Sequence, residues 1–169
     1  MKIGIIGLGY VGIQLAVAFG RNQDTLGFDL DSRKIDTYSS GVDKTGEVNQ
    51  TQFNQSKYLT FTSTWRELEG CDVFVIAVPT PTTETNKADL SAIETVVTQI
   101  GPVLKKGNLV ILESTSTVGT TEKIAESLKS IRPELVFPSY GTDGEEADVN
   151  IAYCPERVLP GHILEELRT

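Results

Sequence analysis

Residues 2–12 read Lys-Ile-Gly-Ile-Ile-Gly-Leu-Gly-Tyr-Val-Gly, and this stretch decides the fold. The β-branched run over 2–6 predicts a short buried strand that stops at Gly7. Apolar residues at helical spacing over 11–19 then predict a helix, ended by Gly20. Between the two, Gly7, Gly9 and Gly12 spell GxGxxG. Alone, that spacing can arise in any glycine-punctuated turn. Set between a strand and a helix, it has the form that dinucleotide binding requires. One glycine serves the tight turn, one lets backbone approach a pyrophosphate, and one allows close helix packing.

Working outward, residues 25–28 predict a second strand ending at Asp29. A polar helix over 32–38 follows, capped by Asp31 or Ser32, and completes a βαβ unit. Asp29 stands about twenty residues beyond the glycines, where a carboxylate can accept hydrogen bonds from the adenosine ribose hydroxyls. Helix capping is the competing role, and Asp31 and Ser32 are better placed for it. An acid at this point also repels a 2′-phosphate. NAD is therefore favoured over NADP, although Arg33 or Lys34 could reach such a phosphate.

The pattern breaks over 39–56, a polar excursion with one short helix near 51–55. A weak strand at 59–62 and a short helix at 64–69 lead into 72–78, whose continuous apolar character suits a central parallel strand. Pro79 and Pro81 end it, and 82–87 is a polar loop. Leu90, Ile93, Val96, Val97, Ile100 and Leu104 predict a helix over 90–104. A strand at 108–112, a helix at 120–131 and short strands at 135–137 and 151–153 complete the chain, with an acidic loop at 139–148. This alternation predicts an α/β fold: a doubly wound parallel sheet, Rossmann-like, forming a single dinucleotide-binding domain over 1–169. Function then belongs at the carboxyl ends of the strands, at 7–12, 29, 79–81, 113–119 and 154–161.

Composition narrows the partners. The chain has 169 residues, enough for one domain with a real core, and 15 basic against 23 acidic residues for a net charge of −8. That balance provides no electrostatic footprint for nucleic acid. An anionic small molecule remains compatible, because helix amino termini hold phosphate without help from net charge. The longest apolar run, 73–78, falls far short of the roughly 20 residues that span a bilayer, and the amino terminus does not read as a signal peptide. No membrane partner and a cytoplasmic location are the expectations. Cys71 and Cys154 lack zinc-site spacing and do not form a disulfide framework, so both read as buried, reduced structural residues. His162 is the only histidine. No metal site is expected.

Residues 113–121 read Glu-Ser-Thr-Ser-Thr-Val-Gly-Thr-Thr, placing hydroxyls and backbone donors near where a nicotinamide would lie. Capping of the next helix by Thr117 or Thr120 is the competing reading. Cys154, Pro155, Glu156 and Arg157 put a carboxylate beside a guanidinium in another strand-end loop. A surface ion pair, worth little energetically, is the alternative there. On the residues alone Glu156 is a candidate acid or base.

Four ordered segments resemble the amino-terminal domain of nucleotide-sugar dehydrogenases, the UDP-glucose and GDP-mannose dehydrogenase family. They are 4–12 (GIIGLGYVG), 77–81 (AVPTP), 113–119 (ESTSTVG) and 153–161 (YCPERVLPG), and the resemblance covers essentially the whole chain. Residues 147–161 look most like the branch that oxidises UDP-N-acetylmannosamine. The resemblance implies oxidation of the sugar's C6 alcohol to a carboxylate, with two hydrides passed to two NAD molecules through a thiohemiacetal and a thioester on a cysteine. It implies that Gly7, Gly9, Tyr10, Val11 and Gly12 hold the cofactor together with Asp29, that Lys34 supports its adenosine end, and that Pro79 and Thr80 line it. Thr115 is implied beside the nicotinamide, where it helps to position the catalytic water. Glu156 is implied in thioester hydrolysis, and Arg157, Val158 and Leu159 at the UDP-sugar substrate.

Two departures accompany the resemblance. UDP-glucose dehydrogenases carry a second glutamate where this chain has Pro160, which favours the N-acetylhexosamine branch and removes one cofactor contact. The family's nucleophilic cysteine lies in a later glycine-rich motif that this chain does not contain, and Cys154 belongs to the Cys-Pro-Glu motif instead. The expectation is a cofactor domain from a longer, homodimeric enzyme that makes precursors of surface polysaccharide or capsule, inactive by itself. UDP-glucose or UDP-N-acetylglucosamine as substrate, and a non-catalytic NAD-sensing module, stay open as alternatives.

Overall fold

The computed structural model describes residues 1–139 and 146–154. Six strands form one sheet: β1 (Lys2–Ile6), β2 (Asp24–Phe28), β3 (Leu59–Thr62), β4 (Val73–Ile76), β5 (Leu109–Leu112) and β6 (Asn150–Tyr153). Every pairing is parallel, and the spatial order is β3-β2-β1-β4-β5-β6. The strand order therefore reverses between β1 and β4, opening a crevice at their carboxyl ends.

Period-two alternation divides the core between the two faces of the sheet. Ile3 and Ile5 of β1 and Val75 of β4 join Ile13, Ala16 and Val17 of α1 (Tyr10–Phe19), with Ile35 and Tyr38 of α2 (Ser32–Ser39). Ile6, Phe74 and Ile76 point the other way, toward Ile93, Val96 and Ile100 of α4 (Ser91–Ile100) and Ile124 and Leu128 of α5 (Thr120–Ile131). Strands covered on both faces need no polar side, which explains the unbroken apolar run through β4. At the sheet edge β6 is largely exposed.

The polar excursion is ordered by its own side chains. Asp43 accepts hydrogen bonds from the backbone of Thr45, Glu47 and Val48 and from the Thr45 hydroxyl. Asn49 and Gln52 form a reciprocal cap on α3 (Gln50–Gln55). Val48 is buried, and Glu47 accepts a 2.6 Å bond from the buried Gln14 of α1. None of these contacts has a hydrophobic period, so none is visible to pattern reading.

Several expectations are corrected. Residues 135–137 do not form a strand, because β6 occupies the place beside β5. Val136 instead donates to the Asp148 carboxylate and accepts from the Asp148 backbone. The helix expected over 90–104 stops at Ile100 and continues as a 3₁₀ turn, Gly101–Val103, since Pro102 has no N–H to extend the ladder. The short helix expected at 64–69 is a 3₁₀ turn, Trp65–Leu68. Neither Thr117 nor Thr120 caps α5; Gly119 does, with φ 86° and no side-chain bond. Cys71 is buried as expected, whereas Cys154 is exposed, because β6 lies at the edge of the sheet. No helix among the described residues is long and apolar enough to cross a membrane, and no cluster there could hold a metal.

Burial pushes the Cys71 thiol from 9.0 up to about 11, against the opposing pull of Lys2. The folded chain thus keeps this proton after the unfolded chain has released it. Its contribution to stability is full below about pH 9 and is lost as pH rises toward 11. At pH 8 a thiol-reactive disulfide reagent should label Cys154 at once and Cys71 only on unfolding. Cys71→Ala should flatten the fall in denaturant midpoint between pH 9 and 11.

Candidate active site

At the strand-order reversal, each glycine of the turn meets a different constraint. Gly7 has φ 95°, and a Cβ there would come within 2.7 Å of the Ala77 carbonyl oxygen. Gly12 is buried, and a Cβ on it would collide with the Gly7 carbonyl. Gly9 is the opposite case, with no atom within 4 Å of where its Cβ would stand. A methyl there would disturb no protein neighbour and would occupy the open space over the helix end.

That helix end is poised for an anion. The N-cap of α1 is Gly9, which offers no side-chain oxygen, and the first turn holds no acidic residue. The first backbone return comes from Ile13 to the Gly9 carbonyl, so the N–H groups of Tyr10, Val11 and Gly12 precede the helical ladder. These donors and the positive end of the helix dipole together could hold a phosphate.

Asp29 follows β2 and faces the turn. Its carboxylate accepts from the Leu8 N–H at 3.0 Å and from the Asp31 N–H at 3.0 Å. It also takes a 2.7 Å ion pair from Lys34, with the carboxylate side chain only 14% exposed. Capping of α2 falls to Asp31, which accepts from the Arg33 N–H. Asp29 is thereby left at the cleft, as its spacing suggests.

The cleft encloses about 630 Å³. Gly7, Gly9, Tyr10, Val11, Asp29 and Lys34 line one side, and Pro79, Thr80, Ser114 and Thr115 the other. Gly12 lies behind the turn and supports it. Ser114 is buried and ties the two strand ends together, donating to the carbonyls of Ile76 and Val78. Thr115 is exposed at the cleft wall. The expected residues Glu156, Arg157, Val158 and Leu159 lie outside the described residues, as does Pro160.

Sequence reading missed Trp65 and Tyr38, and it placed Glu113 at a functional strand end without giving it a role. Trp65 lines the cleft and lies against Phe28, with ring centroids 4.0 Å apart. Glu113, nearly buried, lines it at the end of β5. Tyr38 is buried in α2 and donates its hydroxyl to the Leu8 carbonyl at 3.2 Å. Burial, reinforced by Asp43 and Asp29, raises the Tyr38 phenol above its usual range, so it remains a donor. A tyrosine on the apolar side of a helix signals core; its bond to the turn depends on tertiary placement.

A capless helix N-terminus and an acid at the second strand, set at the switch point of a 3-2-1-4-5-6 sheet, define a dinucleotide-binding domain. The model of the UDP-glucose/GDP-mannose dehydrogenase family, NAD binding domain, matches residues 1–169, and the chain belongs to that family. Its cofactor is NAD. The chain is 45% identical to the UDP-N-acetyl-D-mannosamine dehydrogenase of Escherichia coli strain K12 over 170 residues, covering 98% of this chain and 39% of the relative. It is 43% identical, with the same coverage, to the NDP-N-acetyl-D-galactosaminuronic acid dehydrogenase of Ralstonia nicotianae. Among solved structures, UDP-D-ManNAc dehydrogenase from Pyrococcus horikoshii superposes with a TM-score of 0.86 at 34% identity, covering 99% of this chain and 39% of that one. The chain spans about two-fifths of the length of these relatives.

The fit to NAD rests on the cradle that a Cβ would fill. Gly9→Ala should change stability by no more than about 1 kcal/mol yet weaken NAD binding at least roughly tenfold by blocking phosphate approach. Gly12→Ala should instead cost about 1–3 kcal/mol or more in folding, because the helix must move off the turn. Thermal melts and calorimetric NAD titration of both variants separate the two roles.

Proposed function

We propose that this chain is the cofactor domain of a nucleotide-sugar 6-dehydrogenase that converts the C6 alcohol of UDP-N-acetyl-D-mannosamine to the uronic acid in two NAD-dependent oxidations. The observation that supports this reading is a single cleft lined by Gly9, Tyr10 and Val11 at the start of α1, by Asp29 and Lys34, and by Thr115. The likeness to UDP-N-acetyl-D-mannosamine dehydrogenase supports the choice of sugar.

NAD, when bound, supplies the hydride acceptor. The chain's own residues bind and orient. Tyr10, Val11 and Gly12 donate backbone N–H groups to the pyrophosphate, and Asp29 accepts from the adenosine ribose with Lys34 beside it. Pro79 and Thr80 border the cofactor on the β4 side. Thr115 holds the water that releases the product, and Glu156 takes up that water's proton. Arg157, Val158 and Leu159 border the UDP-sugar, which is shared with polypeptide that also carries the nucleophilic cysteine. We place the whole protein in the cytoplasm as a homodimer, feeding surface-polysaccharide or capsule assembly, and this domain by itself is inactive. A second reading, a galacto-configured N-acetylhexosamine substrate, is favoured by the Ralstonia relative.

In a protein of the relatives' length, UDP-N-acetyl-D-mannosamine should yield two NADH per sugar, followed by absorbance, and the isolated chain should yield none. Glu156→Gln should lower kcat by roughly 10²- to 10⁴-fold with NAD affinity nearly unchanged. Preferential turnover of UDP-N-acetylgalactosamine would select the second reading. No turnover of any UDP-hexose by the folded protein would contradict both.

A further inference from the structure

Asp29 has more partners than ribose recognition needs. A carboxylate offers about four acceptor positions, and three are taken within the protein. Oδ2 accepts the Leu8 N–H at 3.0 Å and the Lys34 ammonium at 2.7 Å, while Oδ1 accepts the Asp31 N–H at 3.0 Å. Leu8 stands between the first two glycines of the turn, and its side chain is fully buried. Its carbonyl is held separately, by the Tyr38 hydroxyl. Both backbone polar groups of this residue are thus fixed by side chains from the β2–α2 unit. Asp29 also holds the residue that caps α2, the helix that carries Tyr38.

We infer that Asp29 is a positioning residue for the phosphate-binding turn, so that its carboxylate raises affinity for the pyrophosphate even where no ribose hydroxyl is present. The inference rests on the cofactor reading of this cleft and adds a second role at the same residue. Gly7, at φ 95°, is held through its N–H by the Phe28 carbonyl at 2.8 Å, and beyond it the side-chain bonds on Leu8 keep the path into the backbone donors aimed. A carboxylate bonded to a backbone N–H supplies a strong, charge-assisted hold. Tyr38, 3% exposed, is too deeply buried to meet a ribose and acts on the turn alone.

The test is a cycle between protein and ligand, read by calorimetry. NAD and a synthetic NAD lacking both adenosine ribose hydroxyls are titrated into the wild-type chain, Asp29→Asn and Tyr38→Phe, each shown folded by its melting curve. The expected result is that Asp29→Asn weakens the dideoxy analogue by roughly fivefold or more and NAD by a larger factor. Tyr38→Phe should weaken both ligands by the same factor, about three- to tenfold. Amide exchange at Leu8 without ligand should quicken in Asp29→Asn. An analogue affinity unchanged by Asp29→Asn, or by Asp29→Ser should the asparagine variant not fold, would overturn the inference while leaving ribose recognition standing. So would a wild-type chain that binds NAD and not the analogue. A folded wild-type chain that binds neither would overturn the cofactor reading itself.

Discussion

The missing side chain at residue 12 sets how closely α1 can approach the end of β1, and the site depends on that approach. With hydrogen alone on the Gly12 Cα, the first turn of the helix rests against the Gly7 carbonyl. The helix then points its unpaired N–H groups across the mouth of the crevice between β1 and β4. Any larger residue would lift the helix away, and the donors would lose their common focus. Gly7 and Gly9 depend on this contact: one turns the chain into it, and the other keeps the space before it clear.

Around that contact the fold supplies support from both sides of the switch point. From the β2–α2 side, Asp29 and Tyr38 grip the two backbone groups of Leu8. From the β4–β5 side, Ser114 joins strand ends that would otherwise splay, fixing where Thr115 stands. The polar excursion also reaches the helix, through the Glu47 bond to Gln14 one turn beyond Tyr10. A segment with almost no apolar pattern is therefore built into the support of the site.

Most of the frame was legible in the sequence because it is periodic. Buried parallel strands announce themselves as apolar runs, and helices α1, α4 and α5 as stripes, so the doubly wound sheet followed from spacing. The glycine turn and the placement of Asp29 beside it were legible for another reason: both depend on local backbone geometry and a fixed offset within one βαβ unit. What escaped was non-local. The strand expected at 135–137 had suitable residues, yet strand status requires a free neighbouring edge, and β6 had taken it. Cys154 looked like a core thiol by type, but exposure followed from the edge position of β6. The bonds of Tyr38, Glu47 and Asp43 join residues whose proximity only the folded chain establishes. Membership of the dehydrogenase family was carried by four short motifs in order, and the chain spans about two-fifths of the length of the relatives it matches.

The central claim is that the uncapped start of α1 receives the pyrophosphate of NAD. Amide chemical shifts of the isotope-labelled chain, followed during titration with NAD, test it most directly. The account predicts that the amides of Tyr10, Val11 and Gly12 move most, in step with one another and with a single saturation curve. Saturable NAD binding that left those three amides unmoved, with the largest shifts elsewhere in the sheet, would contradict it.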